Sequence, residues 1–300
     1  MTDWTTDFFH TEPYRAELLP VWLTVLAFDV LRYLVPAVSA FLLFWVWGRD
    51  RLRKHRILFA RSVWPRAAKI ARDIAWSCGA IAIYSAMGLA VFVLRRIGVL
   101  RDWSGGEGGV HDAGWVWFFG SIVVLAVLQD AYFYWTHRAM HHPRIFRVVH
   151  RVHHVSTTTS PFTAYAFHPL EAITHGLFVP LVWLVLPLHE IAVFLFLLFM
   201  IVRNVLGHLS IELLPRGFTR SRLGWWTTTT HHALHHKDFR SNYGLYFTFW
   251  DEKMGTTHAD YEASFERFAA GHGAEGATAP RALRPLPAWR REAPPGSRAA

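Results

Sequence analysis

Apolar and polar positions in this chain fall in long blocks, without the short alternation of a strand or the single apolar stripe of a soluble helix. Residues 21–47 form a first block, charged only at Asp29 and Arg32, with Pro36 placed to kink it. Residues 74–94 form a second, whose Gly79, Ala80, Ala82, Ser85, Ala86 and Gly88 suit close helix packing. Residues 115–135 form a third. Each reaches the roughly 20 residues that a helix needs to cross a bilayer. Blocks 173–186 and 191–206 flank Pro187-Leu188-His189-Glu190 and predict a helical hairpin. At about 1.5 Å per residue its arms reach some 21–24 Å against a hydrocarbon core of about 30 Å, which leaves open whether the hairpin spans the bilayer or only enters it. The expected fold is an all-α integral membrane protein with about four to five membrane-embedded helices and a cytoplasmic helical cap. Residues 1–20 read as a tail, 21–114 as membrane helices and loops, 115–257 as the unit carrying the chemistry, and 258–300 as an extension, disordered from about 271.

Composition strengthens this picture. Hydrophobic side chains make up 52% of the 300 residues and charged ones 18%, below the ~25% of soluble domains. The net charge of +9 reads as topology and not as nucleic-acid binding. Arg49, Arg51, Arg53, Lys54, Arg56, Arg61, Arg66, Lys69 and Arg72 crowd between the first two blocks, whereas the N-terminal segment offers only Arg15. Residues 48–73 are therefore expected in the cytoplasm, with everything from Thr136 onward except the hairpin tip. The N-terminus shows no secretory signal, because it lacks a basic region before an apolar one. Residues 105–109 read as a flexible external turn; no GKS or GKT follows, so a phosphate loop is not expected. The lone Cys78 excludes a disulfide framework and a thiolate metal site. Any metal must be held by imidazole and carboxylate.

The histidines are concentrated. Fourteen of the 19 lie between His137 and His236, a third of the chain. His137 and His141 stand four apart, His150, His153 and His154 form H-x-x-H-H, and His232, His235 and His236 form another, preceded by His231. Histidines three or four apart share a helix face, about 5–6 Å apart at Cβ, so each cluster can clamp an ion but none completes a coordination sphere. The clusters must converge. His168 and His208 lie where they should meet and are expected to join them. Asp130, seven residues before His137, is expected to accept from a ligand imidazole N–H or to bind metal directly, with an arginine ion pair as the structural alternative. His175 and His189 read as hydrogen-bonded core residues, and His10, His55, His111, His258 and His272 as surface or linker residues. So many imidazoles exceed the needs of one ion, which points to two. Without thiolates, iron, zinc and copper remain open. A metal pair beside an apolar bilayer suits oxidation of an unactivated lipid C–H bond; the H-E-x-x-H of a metallohydrolase is absent.

Asp130-x-x-x-Tyr134-Trp135-x-His137-x-x-x-His141-His142, His150-x-x-His153-His154, His231-His232-x-x-His235-His236, Asn242-Tyr243-Gly244 and Trp250-Asp251-x-x-x-Gly255-Thr256 together resemble the fatty acid hydroxylase/sterol desaturase superfamily over roughly residues 115–257. The resemblance implies a membrane oxygenase with two iron ions, using O2 and two electrons to give an alcohol or an alkene. It implies as ligands His137, His141, His150, His153, His154, His208, His232, His235 and His236, with His168 and His231 as further candidates. Zinc is expected to substitute on overexpression, since imidazole sites accept both. Glu212 stands where some members carry a second histidine one turn after His208, which makes it, with Asp130, a candidate carboxylate at the site. Asn242, Gly244, Trp250 and Asp251 are expected to support a lid. No dinucleotide, flavin or cysteine-cluster motif occurs, so a separate electron-donor protein is required beside the lipid substrate. A bis-histidine haem protein and a histidine-rich metal transporter are the rival readings.

Overall fold

The computed structural model describes residues 12–59, 64–100 and 114–273. The Gly-rich 105–109 stretch, the chain beyond 273 and residues 1–11 lie outside them. The described residues are helical, with two isolated β-bridges and no strand.

The first helix, α1 (Glu12–Ala40), starts well before the apolar block and holds Pro20 and Pro36 inside it. Its added first turns mix Glu12, Arg15 and Glu17 with Leu18 and Leu19 and carry no long apolar run, so residues 12–20 of the segment expected as a tail are helix. A π-helical segment, Phe41–Trp47, continues it; Trp45 there is buried and donates its indole N–H to Leu209 O at 3.0 Å. The second helix, α2 (Ala67–Arg96), lies against α1 where a Cβ on Gly88 would meet Val25 Cγ1 at 2.6 Å. Ala80 and Ser85 of the same helix are buried, whereas Gly79 faces open space. The third helix is α3 (Gly114–Met140). The hairpin comprises α6 (Pro169–Gly176), α7 (Phe178–Val185) and α8 (Glu190–Gly207), numbered after two short helices described below.

Segments Glu17–Trp47, Ala67–Arg96, Gly114–Met140 and Glu190–Gly207 are long and apolar enough to cross a membrane. Their outer faces expose large apolar side chains, such as Leu31 at 59%, Val123 at 64% and Val116 at 78%, a surface that water does not tolerate over such an area. The hairpin reaches the far end of the bundle. Pro187 O accepts from Trp117 Nε1 at 2.7 Å, and Glu190 pairs with Arg95 at 2.6 Å, so its tip meets the first turn of α3 and the last turn of α2.

At the other end sits the cap. Two short helices, α4 (Pro143–Val149) and α5 (Arg151–His154), follow α3 directly. A 3₁₀ turn, Pro161–Tyr165, precedes α6; α9 (Thr229–Asp238), α10 (Phe249–Lys253) and α11 (Tyr261–Ala269) complete the cap. In α11 the apolar Tyr261 and Phe265 bury against Leu234 of α9, so the segment expected as a C-terminal extension forms part of the cap through Ala269. The cap is tied to the bundle by Asp73 near the start of α2, whose carboxylate accepts from Ser156 Oγ at 2.9 Å and Thr163 Oγ1 at 2.7 Å. Tyr33 Oη donates to Phe162 O at 2.9 Å from α1.

The Gly88–Val25 approach gives a test of this packing. Gly88→Ala is expected to destabilise the detergent-solubilised protein by about 1–3 kcal/mol through overpacking, despite the better helix propensity of alanine. Val25→Ala in the same chain should restore most of the loss, read as thermal unfolding midpoints of the two single variants and the double variant.

Candidate metal centre

Where α3 and α8 end, side chains from four helical elements meet. The last turn of α3 presents His137, and His141 follows it in the chain; α5 presents His153 and His154, with His150 at its N-cap; His208 is the C-cap of α8. The α9 helix, started by Thr228 Oγ1 accepting from the His231 N–H at 3.1 Å, presents His232, His235 and His236. Ligand nitrogens of His137, His141, His150, His154 and His235 lie within 4.8 Å of one another, and those of His153, His208, His232 and His236 form a second group by the same measure. The groups are neighbours: the rings of His154 and His236 are 4.5 Å apart, those of His153 and His154 5.6 Å.

This division explains the doubled H-x-x-H-H spacing. His150 and His154, four apart, serve the first group, while His153 between them serves the second. On α9 the roles reverse: His232 and His236 serve the second group, and His235 crosses to the first. Residues four apart share a face, whereas the one beside the later member is turned by about 100° toward the adjacent group.

The rings are aimed by their other nitrogens. His137 Nδ1 donates to Tyr243 O at 2.9 Å, His235 Nδ1 to Ser241 O at 2.8 Å and His208 Nδ1 to Asn204 O at 2.7 Å. His150 Nδ1 lies 2.7 Å from Glu171 Oε1. A carbonyl only accepts, so His137, His208 and His235 carry their proton on Nδ1 and turn a bare Nε2 lone pair inward. Burial depresses the neighbouring imidazoles far below their ordinary range, His150 to about 3 and His208 to about 4, so they are neutral. In His141, His153, His154, His232 and His236 burial again acts first, and adjacent rings add to it.

Neutrality has a consequence in the first group. His137, His150, His154 and His235 make three Nε2–Nε2 contacts in series, at 3.1, 3.0 and 3.1 Å. His137 and His235, at the ends, have no proton on Nε2, so His150 and His154 can supply at most two protons for three contacts. At least one contact therefore has no proton donated across it, and with bare Nε2 atoms throughout a shared cation would satisfy all of them. The spacing fits one. Two nitrogens about 2.1 Å from an ion stand about 3.0 Å apart at a right angle and about 3.4 Å apart at the tetrahedral angle. The second group repeats the spacing, at 3.2, 2.9 and 3.1 Å along His153, His208, His232 and His236. The donor set therefore fits two cations, each of which would be held by imidazole nitrogen alone.

Four expected residues lie elsewhere. His168 caps α6, its Nδ1 accepting from the Leu170 N–H at 3.3 Å, and stays outside both groups. His231 points away to Asp251, with Nε2 and Oδ2 3.3 Å apart, and against the ring of Tyr261. Asp130 accepts from the Tyr246 and Phe247 N–H groups at 2.8 and 3.2 Å and touches no histidine ring. Glu212, whose carboxyl burial pushes upward, accepts from Thr230 N at 3.0 Å, Thr230 Oγ1 at 2.7 Å and Leu214 N at 3.1 Å, and so anchors the start of α9. Asp251 holds backbone near the histidine groups. It accepts from the Tyr243 and Gly244 N–H groups, both at 2.8 Å, and from Thr256 Oγ1 at 2.7 Å. Together Asp130 and Asp251 hold the 243–247 strip whose Tyr243 carbonyl aims His137. Sequence reasoning missed Glu171, fully buried in the first turn of α6. The signal available was a carboxylate at the head of an apolar helix, the same signal that singled out Asp130.

Residues 122–256 match the family described as Fatty acid hydroxylase. Lathosterol oxidase of Mus musculus is 27% identical over 204 residues, covering 66% of this chain and 64% of that protein. A Delta(7)-sterol 5(6)-desaturase of Aspergillus fumigatus is 33% identical over 169 residues, covering 50% of this chain and 52% of its own. C-4 methylsterol oxidase of Schizosaccharomyces pombe is 30% identical over 159 residues, covering 51% and 52%. The chain thus spans less than two thirds of the length of these relatives. No solved structure matches it.

The two buried glutamates should separate on substitution. Glu171→Gln is expected to weaken metal retention about 10–100-fold, because it loosens the ring of His150. Glu212→Gln should lower thermal stability and leave metal retention unchanged. Competition with a graded chelator, read against unfolding midpoints, distinguishes them.

Proposed function

Because residues 122–256 match the fatty acid hydroxylase family and the chain is similar to sterol oxidases and desaturases, we propose that it is a membrane oxidoreductase of the fatty acid hydroxylase/sterol desaturase superfamily acting on a lipid. In this reading it uses O2 and externally supplied electrons to hydroxylate or desaturate an unactivated C–H position, with one iron ion in each histidine group. The observation that carries the proposal is the series of neutral imidazoles whose Nε2 atoms stand 3.0–3.1 Å apart with too few protons between them. Bound iron supplies the oxygen activation and redox capacity that no side chain here possesses.

The protein's part is positioning. His137, His141, His150, His154 and His235 would hold one ion, and His153, His208, His232 and His236 the other. The carbonyls of Tyr243, Ser241 and Asn204, with the carboxylate of Glu171, keep the lone pairs turned inward before any ion arrives, which limits reorganisation on binding. The cap helices α9 and α11 bury the site and exclude water, so that oxidising power is spent on the lipid. Hydroxylation consumes O2, two electrons and two protons and releases one water; desaturation removes two hydrogens and releases two.

The electrons come from a separate protein in this proposal. Exposed Arg144, Arg147 and Arg151 flank the α4–α5 ligands and would attract an acidic donor. The basic 48–73 segment lies at the histidine end of the bundle, since Trp45 reaches Leu209 there and the backbone N–H of Ile57 donates to Ser210 O. The excess of positive charge in that loop supports a cytoplasmic site. Crowding argues against haem, because ring nitrogens only 2.9–3.2 Å apart leave no place for a porphyrin between them.

Metal analysis of protein purified under iron-replete conditions is expected to find two ions per chain. His235→Ala and His153→Ala, one from each group, should each lower that content and abolish lipid oxidation, measured as lipid products by mass spectrometry. Full activity in either variant, or a haem Soret band in the purified protein, would overturn the reading.

A further inference from the structure

Beside the histidine groups lies a cavity of about 370 Å³ between α1, α2, the α6–α7 arm and α8. Most of its wall is apolar, with Val25, Phe28, Val91, Trp183, Leu197 and Met200 among the contributors. It adjoins the metal centre through His175, which lines it and stands 3.8 Å from the Glu171 carboxylate that holds His150. Phe194, also in the wall, is 41% exposed on the outer face of the bundle, which gives the cavity a side toward the membrane.

Some polar atoms in this wall lack a hydrogen-bond partner. Arg32 pairs with Asp29 at 2.6 Å, and both are buried. That contact uses Nη2 alone; Nε and Nη1 have no hydrogen-bond partner. Gln129, 2% exposed on α3, has no partner on Oε1. Buried polar atoms within a membrane-embedded bundle are placed where a partner will meet them. The wall therefore offers free donors and a free acceptor, with its one positive charge already balanced by Asp29.

We propose that Arg32 and Gln129 form a polar anchor that selects lipids bearing a neutral hydroxyl head and disfavours those bearing a free carboxylate. A hydroxyl can accept from the guanidinium and donate to the Gln129 carbonyl. A carboxylate can only accept, would leave Gln129 unmet, and would add an uncompensated negative charge to a low-dielectric site. A hydrocarbon satisfies neither group. The identification of the ligand as a lipid rests on the proposed function, but the anchor is tested by binding without turnover.

The test uses the full chain, metal-loaded, in nanodiscs. Competition binding would compare octadecanol with octadecane and octadecanoic acid, and cholesterol with cholestane. Expected is at least a tenfold preference for the alcohol within one matched series, lost in Gln129→Leu and in the charge-neutral pair Asp29→Asn/Arg32→Gln, with hydrocarbon binding and metal content unchanged. Gln129→Leu removes no hydrogen bond that Oε1 makes, so it serves where the paired variant fails to fold. No alcohol preference in either series, preference for the acid, or full retention of the preference in Gln129→Leu would overturn the anchor. Alcohol binding without any lipid oxidation would sink the proposed reaction and leave the anchor standing.

Discussion

The constraint on which this protein turns is the meeting of neutral imidazole lone pairs in a dry interior. An imidazole has one proton to give in its neutral form, and here backbone carbonyls claim it at Nδ1 in His137, His208 and His235. The inward nitrogens are then bare, and burial removes the option of charging the rings to separate them. Such an array is stable only when a cation sits among the lone pairs, or when the surrounding fold is firm enough to hold it ready. Much of the cap can be understood as that firmness.

The supporting interactions are mostly carboxylates holding backbone, not carboxylates touching metal ligands. Asp251 and Asp130 grip successive N–H groups in the 243–247 strip. Glu212 grips the start of α9. Asp73 grips the side chains of Ser156 and Thr163 on either side of the loop that follows α5. Each is buried and each receives several hydrogen bonds, which offsets the cost of placing charge away from water. Among the carboxylates of the described residues, Glu171 alone contacts a histidine of the first group directly. The long helices supply the frame: α3 and α8 end at the same level, and two helices each feed both histidine groups.

Much of this organisation is legible in the sequence. The three long apolar blocks become α1, α2 and α3, because a run of that length has few other stable forms in a membrane. The hairpin is present, yet it reaches the tip contacts at Trp117 and Arg95 and so traverses the bundle depth. Its α6 arm starts at Pro169, ahead of the apolar run, with Pro at the favoured first helical position. That extra turn adds length that an apolar count does not register. The same blindness to helical turns of mixed polarity shortened α1 and separated α11 from the cap.

The sequence alone determined that the histidines would act in clusters, since spacing of three and four fixes which neighbours share a helix face. It could not determine which clusters join. Only the tertiary structure decided that His153 parts from His150 and His154, that His235 parts from His232 and His236, and that His168 and His231 turn away to a helix cap and to Asp251. Likewise only the fold brought Glu171 to His150, 21 positions away in the chain. The physical reason is one of range. Periodicity is a local property of the backbone, whereas a coordination site is built from distances between elements, and those are settled by how the helices pack.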